Sequence, residues 1–255
     1  MSGRALSFGP VAEAYERFRT GYPEALFDLV TGYLGRPVRR ALEIGAGTGK
    51  ATRLFASRGV AVTATDPDQA MLTELRRHVP TRVETVRAAF EELRPGETYE
   101  LVYAAAALHW TDPRDRWPRM AALLRPDGVF ASFAGPVRLA DPAVREAVRS
   151  ARAPFLSRDE VPAQDRTPSV DDMQWPGTEL RRSEWFTDVR QSVIERRLSM
   201  TAADYVGYLS TVSAYLELPA PARAQVLDRI ERVLPETVPL AADVVVHLAR
   251  RRAVP

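Results

Sequence analysis

The sequence predicts an α/β fold: a doubly wound, mostly parallel sheet of seven strands with helices on both faces. Three observations carry that prediction. Up to about residue 135, five short β-rich runs alternate with segments of helical period, the pattern of strands joined by helical crossovers. The first of those runs, Ala41-Leu42-Glu43-Ile44, passes into glycines at 45, 47 and 49 and then into a helix, as happens where an open sheet meets a ligand. At 255 residues, 45% apolar and 27% charged, the chain is long enough to bury a substantial core and ordinary enough in composition to be globular.

The elements follow in order. Phe8, Val11, Ala12, Tyr15 and Phe18 recur at helical intervals as far as Arg19; Thr20-Gly21-Tyr22-Pro23 ends that helix and starts a second, to about Leu34. After the glycines, Ala51, Leu54 and Phe55 mark a third helix, and Val60 to Thr65 is a strand that ends in Asp66. Asp68 caps the next helix, with Met71, Leu72 and Leu75 inward. Arg82 to Ala88 alternates as a third strand and leads to Ala89-Phe90-Glu91; Tyr99 to Ala106 is a fourth. Trp117 to Leu124 is a short helix, and the turn Arg125-Pro126-Asp127-Gly128 opens a fifth strand, Val129 to Phe133.

The second half is harder to read. Ala140 to Ala151 is helical, and prolines at 154, 162, 168 and 176 punctuate a polar stretch, 153–180, predicted to be an active-site lid undercut by Trp175, Trp185 and Phe186. Val189 to Arg197 is a sixth strand, Thr201 to Leu216 a single helix, and Pro219-Ala220-Pro221 joins it to another ending near Leu234. Ala241 to Ala249 is the last strand, with Arg250-Arg251-Arg252 as a solvated tail.

Glycine has no Cβ and tolerates positive φ, so Gly45 and Gly47 bring main-chain N–H groups against a ligand at the positive end of the following helix. Asp66, roughly 20 residues on, is where an acid grips the cis-diol of a ribose. A nucleoside cofactor fits this pair. A dinucleotide does not: its fingerprint needs a third glycine where Lys50 stands.

What stands instead, Glu43-x-Gly45-x-Gly47-x-Gly49, resembles motif I of the class I S-adenosylmethionine (SAM) dependent methyltransferases, which implies a Rossmann-like fold and SAM as cofactor. The opening Phe8-Gly9-Pro10-Val11-Ala12-Glu13-Ala14-Tyr15 with Arg19-Thr20-Gly21-Tyr22-Pro23 resembles that of small-molecule enzymes of the trans-aconitate methyltransferase-like group, Thr20 replacing the usual proline. Tyr99-Glu100-Leu101-Val102 followed by Leu108-His109-Trp110 is similar to a second signature of that group.

The resemblance implies a first division, residues 1–136, that binds SAM beneath N-terminal lid helices, and a second, 137–255, that completes the sheet and covers the substrate within the same domain. It implies that Tyr15 and Arg19 lie near the methionine carboxylate, that Glu43, Gly45, Ala46, Gly47, Gly49, Asp66 and Pro67 hold the cofactor, and that Met71, Ala89, Phe90 and Ala105 edge it. An Asp that many members place against the adenine is missing at Ala89-Phe90. His109 is the candidate catalytic residue, as acid/base or positioning group; Trp110, Tyr205, Tyr208, Thr211 and Tyr215 are candidates for substrate contact.

A cysteine count of zero excludes disulfides, thiolate nucleophiles and Cys-based zinc sites, and no metal-ligand cluster is present. A net charge of +2 gives little support to a nucleic-acid partner, so a small-molecule acceptor ranks above an RNA methyltransferase or a non-catalytic SAM-binding protein. With no long apolar run or signal-like start, the expectation is a cytoplasmic protein without a membrane partner, monomeric or homodimeric, from a GC-rich bacterium.

Overall fold

The computed structural model describes residues 8–94, 96–156 and 173–253. Two helices, α1 (Ala12–Phe18) and α2 (Glu24–Leu34), precede the alternating half: β1 (Arg40–Ile44), α3 (Lys50–Ser57), β2 (Ala61–Asp66), α4 (Gln69–His78), β3 (Glu84–Arg87), β4 (Tyr99–Ala105), α5 (Arg116–Leu123) and β5 (Leu124–Ala134). The rest comprises β6 (Arg138–Leu139), α6 (Pro142–Arg152), α7 (Gly177–Arg182), β7 (Phe186–Ile194), β8 (Arg197–Thr201), α8 (Ala202–Ser210), α9 (Ser213–Leu216), α10 (Ala220–Glu231), β9 (Thr237–Ala241) and β10 (Val244–Arg251).

The large sheet has seven strands in the order β3-β2-β1-β4-β5-β10-β7. Strands β1 to β5 pair in parallel, and β10 lies antiparallel between β5 and β7. Helices α2, α3 and α4 bury one face, with Leu26, Val30, Phe55, Leu72 and Leu75 in its core. Helices α5 and α7 bury the other. Rings knit the first core: Tyr103 of β4 stacks at 4.5 Å on Phe55 and at 5.8 Å on Phe133. Such contacts add about 0.5–1.5 kcal/mol each beyond area burial. The strand order reverses between β1 and β4, so the carboxyl ends of those two strands flank the crevice where a ligand binds.

A third core, apart from the sheet, gathers Leu139, Val148, Tyr205, Leu209, Val226, Ile230 and Leu240 from α6, α8, α10 and a small antiparallel sheet, β6-β9-β8. Sequence reading misses this small sheet. Its strands are short, β6 having two residues, and β9 carries Pro239, so no period emerges. Other boundaries are corrected accordingly. The sixth strand runs Phe186–Ile194, and Arg197 begins β8; the last strand starts at Val244, next to the point where Gly135 lies too close to the Asp243 carbonyl for a Cβ to fit. Thr201–Leu216 is two helices, broken where Val212 is extended (φ −84°, ψ 134°). The final arginines are no tail: β10 continues to Arg251, with Arg250 bonded to the Tyr33 carbonyl, Arg251 to that of Leu124 and Arg252 to that of Phe186. Most of the expected lid, 157–172 with Pro162 and Pro168, lies outside the described residues.

Candidate active site

The glycine turn closes as its sequence demands. Gly45, Gly47 and Gly49 all have positive φ, at 65°, 55° and 84°. A Cβ on Gly45 would stand 2.5 Å from that of Ala107, whereas one on Gly47 would meet nothing within 4 Å. Gly45 therefore serves packing, and Gly47 keeps its space open on the ligand side. The turn is tied to the end of β2: Ala46 N–H donates to the Thr65 carbonyl at 2.9 Å and Gly47 N–H to Asp66 Oδ2 at 2.9 Å. Asp66 Oδ1 accepts Asp68 N–H at 2.8 Å. Burial, only partly offset by those two N–H bonds, raises the Asp66 carboxyl to about 6.

Glu43, on β1, is fully buried. Its Oε2 accepts the hydroxyls of Thr52 at 2.5 Å and Tyr103 at 2.9 Å, while Oε1 has no partner among the described residues. Burial pushes this carboxyl up to about 8 against the pull of the two hydroxyls. Glu43 borders a pocket shared with Tyr15, Arg19, Gly45, Ala46, Gly47 and Ala105. The fit to the methyl donor rests on these features: an unpartnered buried acceptor for an ammonium, an open glycine, and Asp66 beside it for a ribose. Ala106, at the end of β4, holds φ +53° at the same rim, a strained conformation typical of functional sites.

The opening helix lies over this pocket. Lys50 Nζ donates to the Glu16 carbonyl at 2.6 Å, Arg53 pairs with Glu16 Oε1 at 2.8 Å, and the turn at Gly9 presses on the Asp68 carboxylate. Phe8 meets Tyr15 and Trp110 edge-on at 6.0 and 6.3 Å. On the nucleoside side, Met71 on α4 is buried, and Ala89 and Phe90 are buried behind β3. Phe90 packs with Leu42, Ile44 and Leu108, as a core residue does. Pro67 and Gly49 join them at the ends of β2 and the turn; a Cβ on Gly49 would meet Leu75 at 2.7 Å.

Beyond the pocket lies a chamber of about 1320 Å³ under α8 and α9. Tyr205, Tyr208 and Tyr215 line it together with Trp175 and His247. Gly135, Val137 and Tyr208 border both spaces, so pocket and chamber share one wall. His109 and Trp110 line neither. His109 lies tilted at 46° to Trp110 with ring centres 4.5 Å apart; the protein packed round its ring, and then the Arg116 charge, pull its pKa down to about 4, although the residue is exposed on its other side. His109 and Trp110, expected beside the acceptor with the tyrosines, thus stand apart from the chamber that the tyrosines line. Sequence reading also misses Gly135, Val137 and Arg196 on the pocket wall; Arg196 sits in the charged run Glu195-Arg196-Arg197, which carries no signal of burial.

Comparison with known proteins decides the family. The chain is 31% identical over 230 residues, 90% of its length and 86% of the relative's, to an uncharacterised methyltransferase of Mycobacterium tuberculosis strain H37Rv. This chain belongs to the SAM-dependent methyltransferases. Residues 41–128 match the methyltransferase domain family, the stretch from β1 into β5. A trans-aconitate 2-methyltransferase of Delftia acidovorans shares 38% identity over 98 residues, 36% of this chain and 37% of that one. The solved structure of a protein described as a type II methyltransferase from Anaeromyxobacter dehalogenans superposes with a TM-score of 0.62 at 27% identity, covering 93% of this methyltransferase and 99% of that chain. The matched family region coincides with the glycine turn and Asp66; the roof of the chamber lies outside it. No helix among the described residues is long and apolar enough to cross a membrane.

Proposed function

We propose that this methyltransferase binds SAM in the pocket at the glycine turn and moves its methyl group onto an oxygen of a small anionic acceptor held in the adjoining chamber. The observation that carries the reading is the shared wall: Gly135, Val137 and Tyr208 border both spaces, so the two adjoin. When bound, SAM supplies a methyl group already activated on a sulfonium. The residues of this chain then have three tasks.

They hold the cofactor, with Asp66 accepting from the ribose hydroxyls and Glu43 Oε1 from the methionine ammonium. They exclude water, with α1 laid over the pocket through Glu16, Lys50 and Arg53. They align the acceptor, a contribution that reaches about 7–11 kcal/mol in favourable cases. Charge favours an acid in the chamber: Arg138, Arg145, Arg149 and Arg152 line it against Glu146 and Asp243. An acid needs no base, which suits this site. Burial raises the Tyr208 phenol above its usual value, so it stays a neutral hydrogen-bonding group.

Incubation with methyl-labelled SAM and a panel of short polycarboxylates, aryl carboxylates, phenols and amines tests the reading. Label recovered as an alkali-labile methyl ester is the expected result. Transfer confined to amines, phenols or added RNA would contradict it.

A further inference from the structure

Arg19 and Tyr208 meet beside the wall that pocket and chamber share. Arg19 closes α1 as its C-cap and borders the cofactor pocket; Tyr208 projects from α8 and borders both spaces. The Arg19 guanidinium lies between two rings, 4.6 Å from the centre of Tyr208 and 5.1 Å from that of Tyr15. Its Nε donates to Thr211 Oγ1 at 2.8 Å and Nη2 to the Thr211 carbonyl at 2.8 Å. The Thr211 hydroxyl donates in turn to the Tyr208 carbonyl at 2.7 Å.

These bonds explain the break in the roof. A helix ends with carbonyls that lack partners and with negative partial charge; Arg19 answers both where α8 stops, and Val212 turns extended immediately after. The contact is close along its length. A Cβ on Gly207 would stand 2.5 Å from the Phe18 ring, so the Phe18 side chain of α1 packs directly on the backbone of α8. At its other edge α1 is pinned through Glu16 to Lys50 and Arg53, at the start of the helix that follows the glycine turn. A continuous series of bonded groups thus joins the turn that cradles the cofactor to the roof of the chamber. Tyr208 stands at the end of it, its hydroxyl within reach of the Val137 N–H.

We propose, resting on the cofactor reading above, that Arg19 is a positioning residue that couples the two spaces: seating α1 over the cofactor fixes Tyr208, and with it the acceptor-facing wall. Cofactor and acceptor then bind cooperatively, because each favours the same seated arrangement of α1 on α8. Thr211 is completely buried and lines neither space, so it transmits the coupling without touching a ligand.

The test is amide hydrogen exchange with and without S-adenosylhomocysteine, the demethylated cofactor, on wild type, Thr211→Val and Arg19→Lys, with calorimetry and melting curves on each. In wild type, S-adenosylhomocysteine should slow exchange across residues 202–210 by about fivefold or more. Thr211→Val keeps the shape and loses the Arg19 bond; it should still bind the compound while that slowing disappears. Arg19→Lys keeps the charge without the fork and should lose the slowing too, which carries the comparison if the valine variant proves unstable. Equal slowing in wild type and both variants would overturn the coupling and reduce Arg19 to a helix cap. So would wild-type binding that leaves residues 202–210 unchanged. Failure of wild type to bind S-adenosylhomocysteine at all would instead overturn the cofactor reading, and the coupling with it.

Discussion

The two halves of this site are made of different material. The cofactor pocket is shaped by backbone: three glycines at positive φ, N–H groups of Ala46, Gly47 and Asp68, and two carboxyls pressed into a dry environment. The acceptor chamber is shaped by side chains, three tyrosines and a row of arginines, on helices whose own core is separate from the sheet. Backbone construction fixes one geometry and tolerates little change. Side-chain construction lets the acceptor vary while the donor stays the same, which matches a family that shares its cofactor and differs in substrate.

The difference can be broken at its strongest point first. Gly47→Val places a β-branched residue at φ +55° and fills the open side of the turn. Strain costs about 1–3 kcal/mol of stability, and the branched side chain excludes the cofactor, so calorimetry should show SAM affinity reduced at least about 100-fold. A Kd within a factor of about 3 of wild type would show that the cofactor does not use this surface.

Next is the pH dependence. Asp66 rises from 3.8 to about 6 and Glu43 from 4.5 to about 8, both chiefly through burial. Each binds its proton more tightly folded than unfolded. Their contribution to stability is therefore complete below the unfolded values and is lost as pH rises through about 6 for Asp66 and about 8 for Glu43. Glu16 and Glu100, whose carboxyls are lowered, act in the opposite sense under acid conditions. Glu43→Gln should accordingly flatten the fall in melting temperature between about pH 4.5 and 8. An unchanged profile would mean that this carboxyl ionises freely. Affinity for SAM runs the other way, weakening below about pH 6 by at most about tenfold per unit as Asp66 takes up its proton.

Changes in the roof should be smaller and selective. Tyr205→Phe and Tyr215→Phe alter the chamber and not the pocket, so acceptor KM should rise about 5–20-fold, roughly the worth of one hydrogen bond, while SAM affinity holds. A matching loss of SAM affinity would mean that the two spaces do not divide the ligands. The smallest effect expected is at His109, which lines neither space and whose pKa is about 4. His109→Ala should change kcat by less than about tenfold; a loss of 10²–10⁴ would restore it as the proton acceptor.

The same division governs what could be read from the sequence. Glycines at 45, 47 and 49 and the acid at 66 are legible because backbone geometry restricts those positions to few residue types. Strands β1, β2, β4 and β5 are legible because burial on both faces makes them largely apolar runs, and the half-exposed β3 is legible from its alternation. In the roof, β6, β8 and β9 are short and half exposed, β9 carries a proline, and their pairing is long-range. The tyrosines could be placed on a helix, but whether they faced a core or a cavity depends on that pairing. His109 follows β4 as expected, in the 3-10 turn Leu108–Trp110, where Trp110 meets Phe8 and neither residue lines the chamber.

The central claim is that SAM sits against the glycine turn with its ribose on Asp66. Titration calorimetry of SAM into wild type and Asp66→Asn at pH 7.5 tests it most directly, since the amide keeps the size and loses the charge. Saturable binding at one site in wild type, weakened about 10–100-fold in a variant that melts like the parent, is the expected result. Equal affinity in the two folded proteins would contradict it.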